Sequence, residues 1–314
     1  MTDSAVHKFR QRNFLLGVII IPAILILLGI YKPYVLVEGL QRSCLYALIT
    51  LPMALLLGVV GIINLAHGDY MMLGAYFAYW LNVQFGLDPL VAIIPSLAVF
   101  FIFGLISYYI TFKHVISAPE LNQLLLGFGL SMVLGQGVTL VATNAPRKIS
   151  LGYVSSSMKI GNFQFGTFEF IYVAGAIIVL LGLQLFLKKT RTGQAALAVG
   201  QNPRGAKFVG ININWIYLFV FALSIALIGA IGPMFGTRNT IFPEVGLAFT
   251  LKSFALIAVA GIGSLTGVLG VSLILGISEC LVLSSLKYAK WSEIIFFALI
   301  IGVIMVRSHQ RQVK

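Results

Sequence analysis

Charge is scarce in this chain of 314 residues: acidic and basic side chains together make up 10% of it. An average soluble domain carries about 25%, so an ordinary soluble enzyme or binding module is excluded. Hydrophobic residues reach 59%, mean hydropathy is +1.00, and no stretch is left for a soluble catalytic domain. Cysteine is scarce too. Cys44 and Cys280, the two present, lie in apolar runs without metal-type spacing and read as inert packing residues. No G-x-x-x-x-G-K-[ST] sequence occurs, so the chain shows no nucleotide site of its own. We expect no metal and no cofactor.

What fills the chain instead is apolar runs of membrane length. A hydrocarbon core about 30 Å thick takes about 20 helical residues to cross. Runs of that order occur at 14–31, 44–63, 69–86, 89–111, 121–143, 168–187, 215–235, 250–262, 265–285 and 291–306. They predict an all-α, polytopic integral membrane protein with about 8–10 transmembrane helices, residues 1–314 forming a single membrane domain. The short run 250–262 reads with 265–285 either as two spans or as one span plus a re-entrant half-helix.

Basic residues set the orientation. His7-Lys8-Phe9-Arg10-Gln11-Arg12 precedes the first run, which is long for a signal core and has no small-residue cleavage site after it. It reads as a retained first helix with a cytoplasmic N-terminus, and ten crossings return the basic C-terminal tail to the cytoplasm. The net charge of +12 is scattered over short loops, so membrane topology explains it without nucleic acid; the surrounding partner is lipid.

Two polar connections are long. The external one, 144–167, carries Arg147, Lys148 and Lys159 among Ser and Gly, and reads as a docking or gating surface or as a plain solvated loop. The cytoplasmic one, 188–214, opens on Lys188, Lys189 and Arg191. Ala195, Ala196, Leu197 and Val199 give a short apolar helical face that Gly200 can end. Asn202 with Pro203 then starts a second short helix, with Ala206, Phe208 and Val209 as its apolar residues and Gly210 as its stop. Two short helices with apolar faces fit a partner protein, or headgroups on which they rest.

Polar residues interrupt the apolar pattern twice. In "NLAHGDY", Asn64, His67, Gly68 and Asp69 stand together. A carboxylate at the bilayer centre costs about 2.5–3.5 kcal/mol on insertion scales, so Asp69 is expected neutral, paired, in a wet cavity, or at or near a helix N-cap. His67, with no second His or Cys nearby, reads as a structural hydrogen-bonding residue rather than a metal ligand. "VAGIGSLTGVLG" supplies the second interruption, with Gly261, Gly263 and Ser264 at its centre. Its G-x-G-x-x-x-G spacing resembles a phosphate loop only superficially. Paired breaks in the two halves of a membrane protein point to a transport pathway near the midplane.

These segments resemble a known family. "GIINLAHGDYMMLGAY", "TRTGQAALAVGQNPRGAKFVGIN" and "AVAGIGSLTGVLG" follow the order found in membrane permeases of bacterial branched-chain amino acid ABC importers. The likeness is closest to the first of the two permeases that pair in such importers. Urea and amide permeases share the signatures. The chain departs from the usual pattern at Gln194, Leu197 and Gln201-Asn202, where relatives commonly carry further charge.

The resemblance implies an ABC importer permease fold in the bacterial plasma (inner) membrane and a subunit that is not itself an enzyme. Its partners would be a second homologous permease, two cytoplasmic ATPase subunits and a periplasmic or external substrate-binding protein. The 188–214 loop becomes the ATPase coupling segment, with Gly193, Ala196, Asn202, Pro203, Arg204, Phe208, Val209 and Gly210 as its candidate residues. Asn64, His67, Gly68, Asp69, Gly261, Gly263 and Ser264 are the candidates for the pathway and its helix breaks. The rival classes are an ion-coupled secondary transporter using Asp69 and His67, and an intramembrane enzyme built on His67, for which the sequence offers no nucleophile.

Overall fold

The structure, a computed structural model, describes residues 33–312 except 117, 150, 161–162 and 286–287. The expected span 14–31, and with it the orientation of the N-terminus, lies outside the described residues. Every other expected span falls on a helix. In chain order these are α1 (Pro33–Val59), α2 (His67–Phe85), α3 (Pro89–Ile110), α4 (Glu120–Ala142), α5 (Thr167–Lys189), α6 (Arg191–Gln201), α7 (Pro203–Phe208), α8 (Ile213–Arg238), α9 (Val245–Ala260), α10 (Leu265–Leu283) and α11 (Ser292–Gln312). Six of the described helices are long and apolar enough to cross a membrane.

The short connections explain where several helices start. Asp88 accepts the Leu90 N–H at 2.8 Å with Pro89 in the first helical position, and Asn212 accepts the Trp215 N–H at 3.2 Å. The long connection before α5 carries one antiparallel hairpin, β1 (Ser157–Ile160) and β2 (Phe163–Gly166), with Ser157 opposite Gly166. It does not change the all-α class. The start of that connection is fixed rather than merely solvated. Arg147 and Ile241 exchange both backbone hydrogen bonds, at 2.9 and 2.8 Å, which ties it to the segment between α8 and α9.

The core is three helices deep. α1 and α8 are buried along most of their length and α2 over its first half, while α3, α4 and α5 present broad exposed faces. α8 packs on α2 and α3, and α1 on α10 and α5. Small residues allow this: a Cβ on Gly74 of α2 would collide with the Gly229 backbone of α8, and close approach of this kind replaces the hydrophobic drive that lipid removes. The outer faces carry Ile94, Leu125, Leu140 and Ile178, all more than half exposed, as expected of surfaces that meet lipid or another membrane helix.

Candidate functional site

The first interruption begins where α1 ends at Val59 and closes where α2 begins at His67. The chain doubles back into the protein between them, because the His67 ring reaches Ile49 in the middle of α1. Its Nε2 donates to the Ile49 carbonyl at 2.9 Å, and the residue is fully buried. A carbonyl only accepts, so the proton sits on Nε2 and Nδ1 is left without a hydrogen-bond partner. Nearby, Pro52 deprives the Leu48 carbonyl of its helical donor, and Ser224 of α8 donates to the Pro52 carbonyl at 2.7 Å. Helix α1 is thus bonded from two sides at its proline.

Asp69 stands near the N-cap of α2, one of the places expected for it, without being the cap itself. Ala66 holds the cap position of α2 without a side-chain capping bond, and Asp69 is the third residue of the helix. Two other side chains take the free N–H groups: Asn64 Oδ1 accepts from Ala66 at 3.0 Å, and Thr250 Oγ1 accepts from Gly68 at 2.7 Å. Thr250 belongs to α9, which crosses the start of α2 so closely that a Cβ on Gly68 would collide with the Gly246 carbonyl. The Asp69 carboxyl is pressed against Gly246, with Ser131 of α4 beside it. It keeps the favourable place for negative charge in a first helical turn but caps nothing.

The second interruption has the form the sequence predicts. α9 stops at Ala260, Gly261 and Gly263 take positive φ of 97° and 76°, and Ser264 caps α10 by accepting the Gly267 N–H at 3.1 Å. Positive φ is costly for any residue with a Cβ, which explains the glycines. At 16 residues, α9 spans about 24 Å, short of a full crossing.

The 188–214 loop contains both expected short helices. Thr190 caps α6 and Asn202 caps α7, accepting from Gly193 and Gly205 at 2.9 and 3.0 Å, with Pro203 first in α7 and Gly210 at φ 85° after it. One detail differs: α6 runs through Gly200 to Gln201, so Gly200 ends nothing. It is a contact residue. The candidates separate by direction: Gly193, Ala196 and Ala206 face the protein, whereas Arg204, Phe208 and Val209 face outward, Phe208 at 91% exposure and Val209 at 75%.

All three features meet at Gly58, near the end of α1. A Cβ on Gly58 would stand 2.7 Å from the Gly263 Cα, and one on Gly200 would stand 2.6 Å from the Gly58 carbonyl oxygen. The loop therefore touches the helix that leads into the first break, at the point where that helix touches the second. α4 closes on the first break from another side, since a Cβ on Gly127 would lie 2.8 Å from the Leu65 nitrogen.

A polar cluster on the first half of α1 escaped the sequence analysis. Lys252 Nζ lies 3.1 Å from both Glu279 Oε1 and the Tyr46 hydroxyl, Tyr46 donates to Glu279, and Arg42 Nη1 lies 3.3 Å from Glu279 Oε1. Lys252 also sits 5.3 Å from the Tyr46 ring centre and 5.2 Å from that of Phe296. A cleft of about 300 Å³ opens beside it. The available signal was a single Lys and a single Glu inside the runs 250–262 and 265–285, a pattern that marks function in membranes.

Comparison with known proteins gives consistent results. Residues 35–304 match the family model described as branched-chain amino acid transport system / permease component. The high-affinity branched-chain amino acid transport system permease protein BraD of Pseudomonas aeruginosa is 27% identical, over 87% of this chain and 92% of its own length. The corresponding permease LivH of Salmonella typhimurium is 26% identical over 86% and 91%, and a probable LivH of Methanocaldococcus jannaschii 28% over 90% and 91%. No solved structure gives a significant match.

Proposed function

Because the chain belongs to the family of branched-chain amino acid transport permease components, we propose that it forms half of the membrane pathway of an ATP-driven importer for branched-chain or other small amino acids. A second, homologous permease supplies the other half. Two ATPase subunits bind the 188–214 side, and an external binding protein delivers substrate to the opposite face. On this reading the subunit performs no hydrolysis of its own, and the C-terminal tail lies in the cytoplasm.

The contact of Gly200 and Gly263 with Gly58 carries the proposal. An importer must convert movement of its ATPases into a change of access, and an interior packed to crystal-like density transmits displacement rather than absorbing it. Here the outward-facing Phe208 and Val209 offer the ATPases an apolar grip. The inward-facing side of the same loop rests on the junction of both helix breaks. A shift of the loop displaces α1 and the α9–α10 turn together, and the helices switch access as rigid bodies.

This reading takes His67 and Asp69 as structural residues rather than as ion carriers. His67 is engaged with Ile49, and Asp69 is held between Gly246 and Ser131. The test is uptake of labelled L-leucine into proteoliposomes carrying this chain with its cognate permease, ATPases and binding protein. The proposal expects uptake only with ATP and binding protein; uptake that follows a proton or sodium gradient without any ATPase would overturn it.

A further inference from the structure

The first turns of α8 are open to the surroundings between α3 and α5. Phe219 of α8 touches both Phe101 of α3 and Phe186 of α5, with ring centres 5.9 and 6.0 Å apart, so its ring floors an apolar groove between the two outer helices. One turn nearer the start of α8, Trp215 stacks on Phe219 at 5.3 Å and stays 48% exposed. A half-exposed Trp at the end of an apolar surface marks the level where hydrocarbon gives way to headgroups. Positive charge stands at the same end. Lys188 and Lys189 follow Phe186 in the last turn of α5. Lys113 follows α3 beside Phe112, whose ring lies against Phe221 near the start of α8. All three lysines are exposed, and none pairs with a carboxylate among the described residues. From residue 170 to residue 243 the sequence holds no Asp or Glu, so neither α5 nor α8 brings a carboxylate to neutralise this end.

We infer that this groove binds an anionic phospholipid. Lys188, Lys189 and Lys113 receive the phosphate, and one acyl chain lies along Phe101, Phe186 and Phe219. Flanking lysines by themselves only mark the end of a span. Here they stand at the mouth of an apolar groove, and basic sites between membrane helices are where anionic headgroups are held. A protein in the same place would have to bring carboxylates to the mouth and an apolar ridge to the groove, whereas a phospholipid carries both in one molecule. The position also gives the lipid something to act on. Lys189 stands two residues before Arg191, the first residue of α6, and α6 is the helix whose Gly200 rests on Gly58. A lipid held at the mouth fixes the joint between α5 and α6. The inference needs only that the chain lies in a membrane, and stands apart from the importer reading.

Photolabelling tests the site. The full-length chain, purified with the subunits that accompany it, is reconstituted into phosphatidylcholine vesicles that contain a trace of phosphatidylglycerol or of phosphatidylcholine with a diazirine in one acyl chain, and labelled peptides are identified by mass spectrometry. The peptide carrying Trp215 and Phe219 should take the phosphatidylglycerol label about fivefold or more above the phosphatidylcholine label. The double variant Lys188→Gln with Lys189→Gln should lose that excess while labelling of the exposed face of α4 stays the same. Lys188→Arg with Lys189→Arg should keep it, a rescue that shows charge rather than fold to be responsible. Equal labelling by the two lipids in the wild type would overturn the site, whether or not the Gln variant is recovered, as would an excess that the Gln variant leaves unchanged. Absence of any label from this peptide would also overturn it and place a protein subunit over the groove. Loss of an accompanying ATPase from the Gln variant with the lipid excess intact would overturn it too, and give the lysines to that partner.

Discussion

The Gly58 carbonyl lies so close to Gly200 that a Cβ at position 200 would stand 2.6 Å from it, nearer than a Cβ comes to a backbone oxygen. Gly200→Ala therefore sets two effects against each other. Alanine improves helix propensity by about 1 kcal/mol, while overpacking costs about 1–3 kcal/mol. Contact with immobile backbone gives the second effect the advantage. ATP-driven uptake by the reconstituted complex should fall several-fold for Gly200→Ala and further for Gly200→Val, with the complex still recovered by size-exclusion chromatography. Wild-type uptake by both would show that the contact transmits nothing.

Phe208 and Val209 are the most exposed apolar pair of the loop, and neither contributes to the core of this chain. Phe208→Asp or Val209→Asp should leave membrane insertion intact and cut co-purification of the ATPase subunits at least tenfold. Unchanged co-purification together with normal uptake would remove this surface from the partner interface.

On the proposed reading His67 and Asp69 are structural, and substitutions separate that role from proton carriage. His67→Gln keeps an N–H donor for the Ile49 carbonyl and should retain uptake. His67→Leu leaves that buried carbonyl without its partner and should destabilise the protein by about 1–3 kcal/mol, read as a lower melting temperature in detergent. Asp69→Asn fits the space against Gly246 and should transport, whereas Asp69→Leu should not. Complete loss of uptake in His67→Gln and Asp69→Asn at wild-type melting temperature would restore the ion-carrier role.

Glu279 is the centre of the buried cluster, with a side chain 2% exposed, and Lys252 at 10% is its buried partner. Removing one member of a buried pair costs about 3–5 kcal/mol. Glu279→Gln should lower the melting temperature most, because it strands Lys252 and Arg42 together. Lys252→Met should follow, and the half-exposed Arg42 should matter least for stability. Equal melting temperatures for Glu279→Gln and wild type would mean that the cluster does not hold α1, α9 and α10 together.

The apolar pattern made most of this fold legible, since a lipid-facing helix must be long, apolar and uninterrupted. Both breaks were visible for the same reason. The errors are local and share a cause. The first described span was expected from 44, yet α1 starts at Pro33, because Glu38, Gln41 and Arg42 look foreign to a span until Arg42 is known to pair with Glu279 and Glu38 to accept from Cys280. α9 likewise begins before residue 250. Asp69 resembled a cap because Gly68 and Asn64 stand beside it, but the capping hydroxyl comes from Thr250, 182 positions away from Gly68. Side-chain pairing between distant helices leaves no periodic trace in a sequence, and the Gly58, Gly200 and Gly263 junction is of that kind.

The central claim is that the loop and the second break move as one body during the ATP cycle. Spin labels at the exposed positions Gln201, Ile262 and Leu140 allow two distances to be followed in the assembled importer. The account predicts that the Gln201–Ile262 distance stays constant between nucleotide-free and ATP-bound states while Ile262–Leu140 changes. A changing Gln201–Ile262 distance with a constant Ile262–Leu140 distance would contradict it.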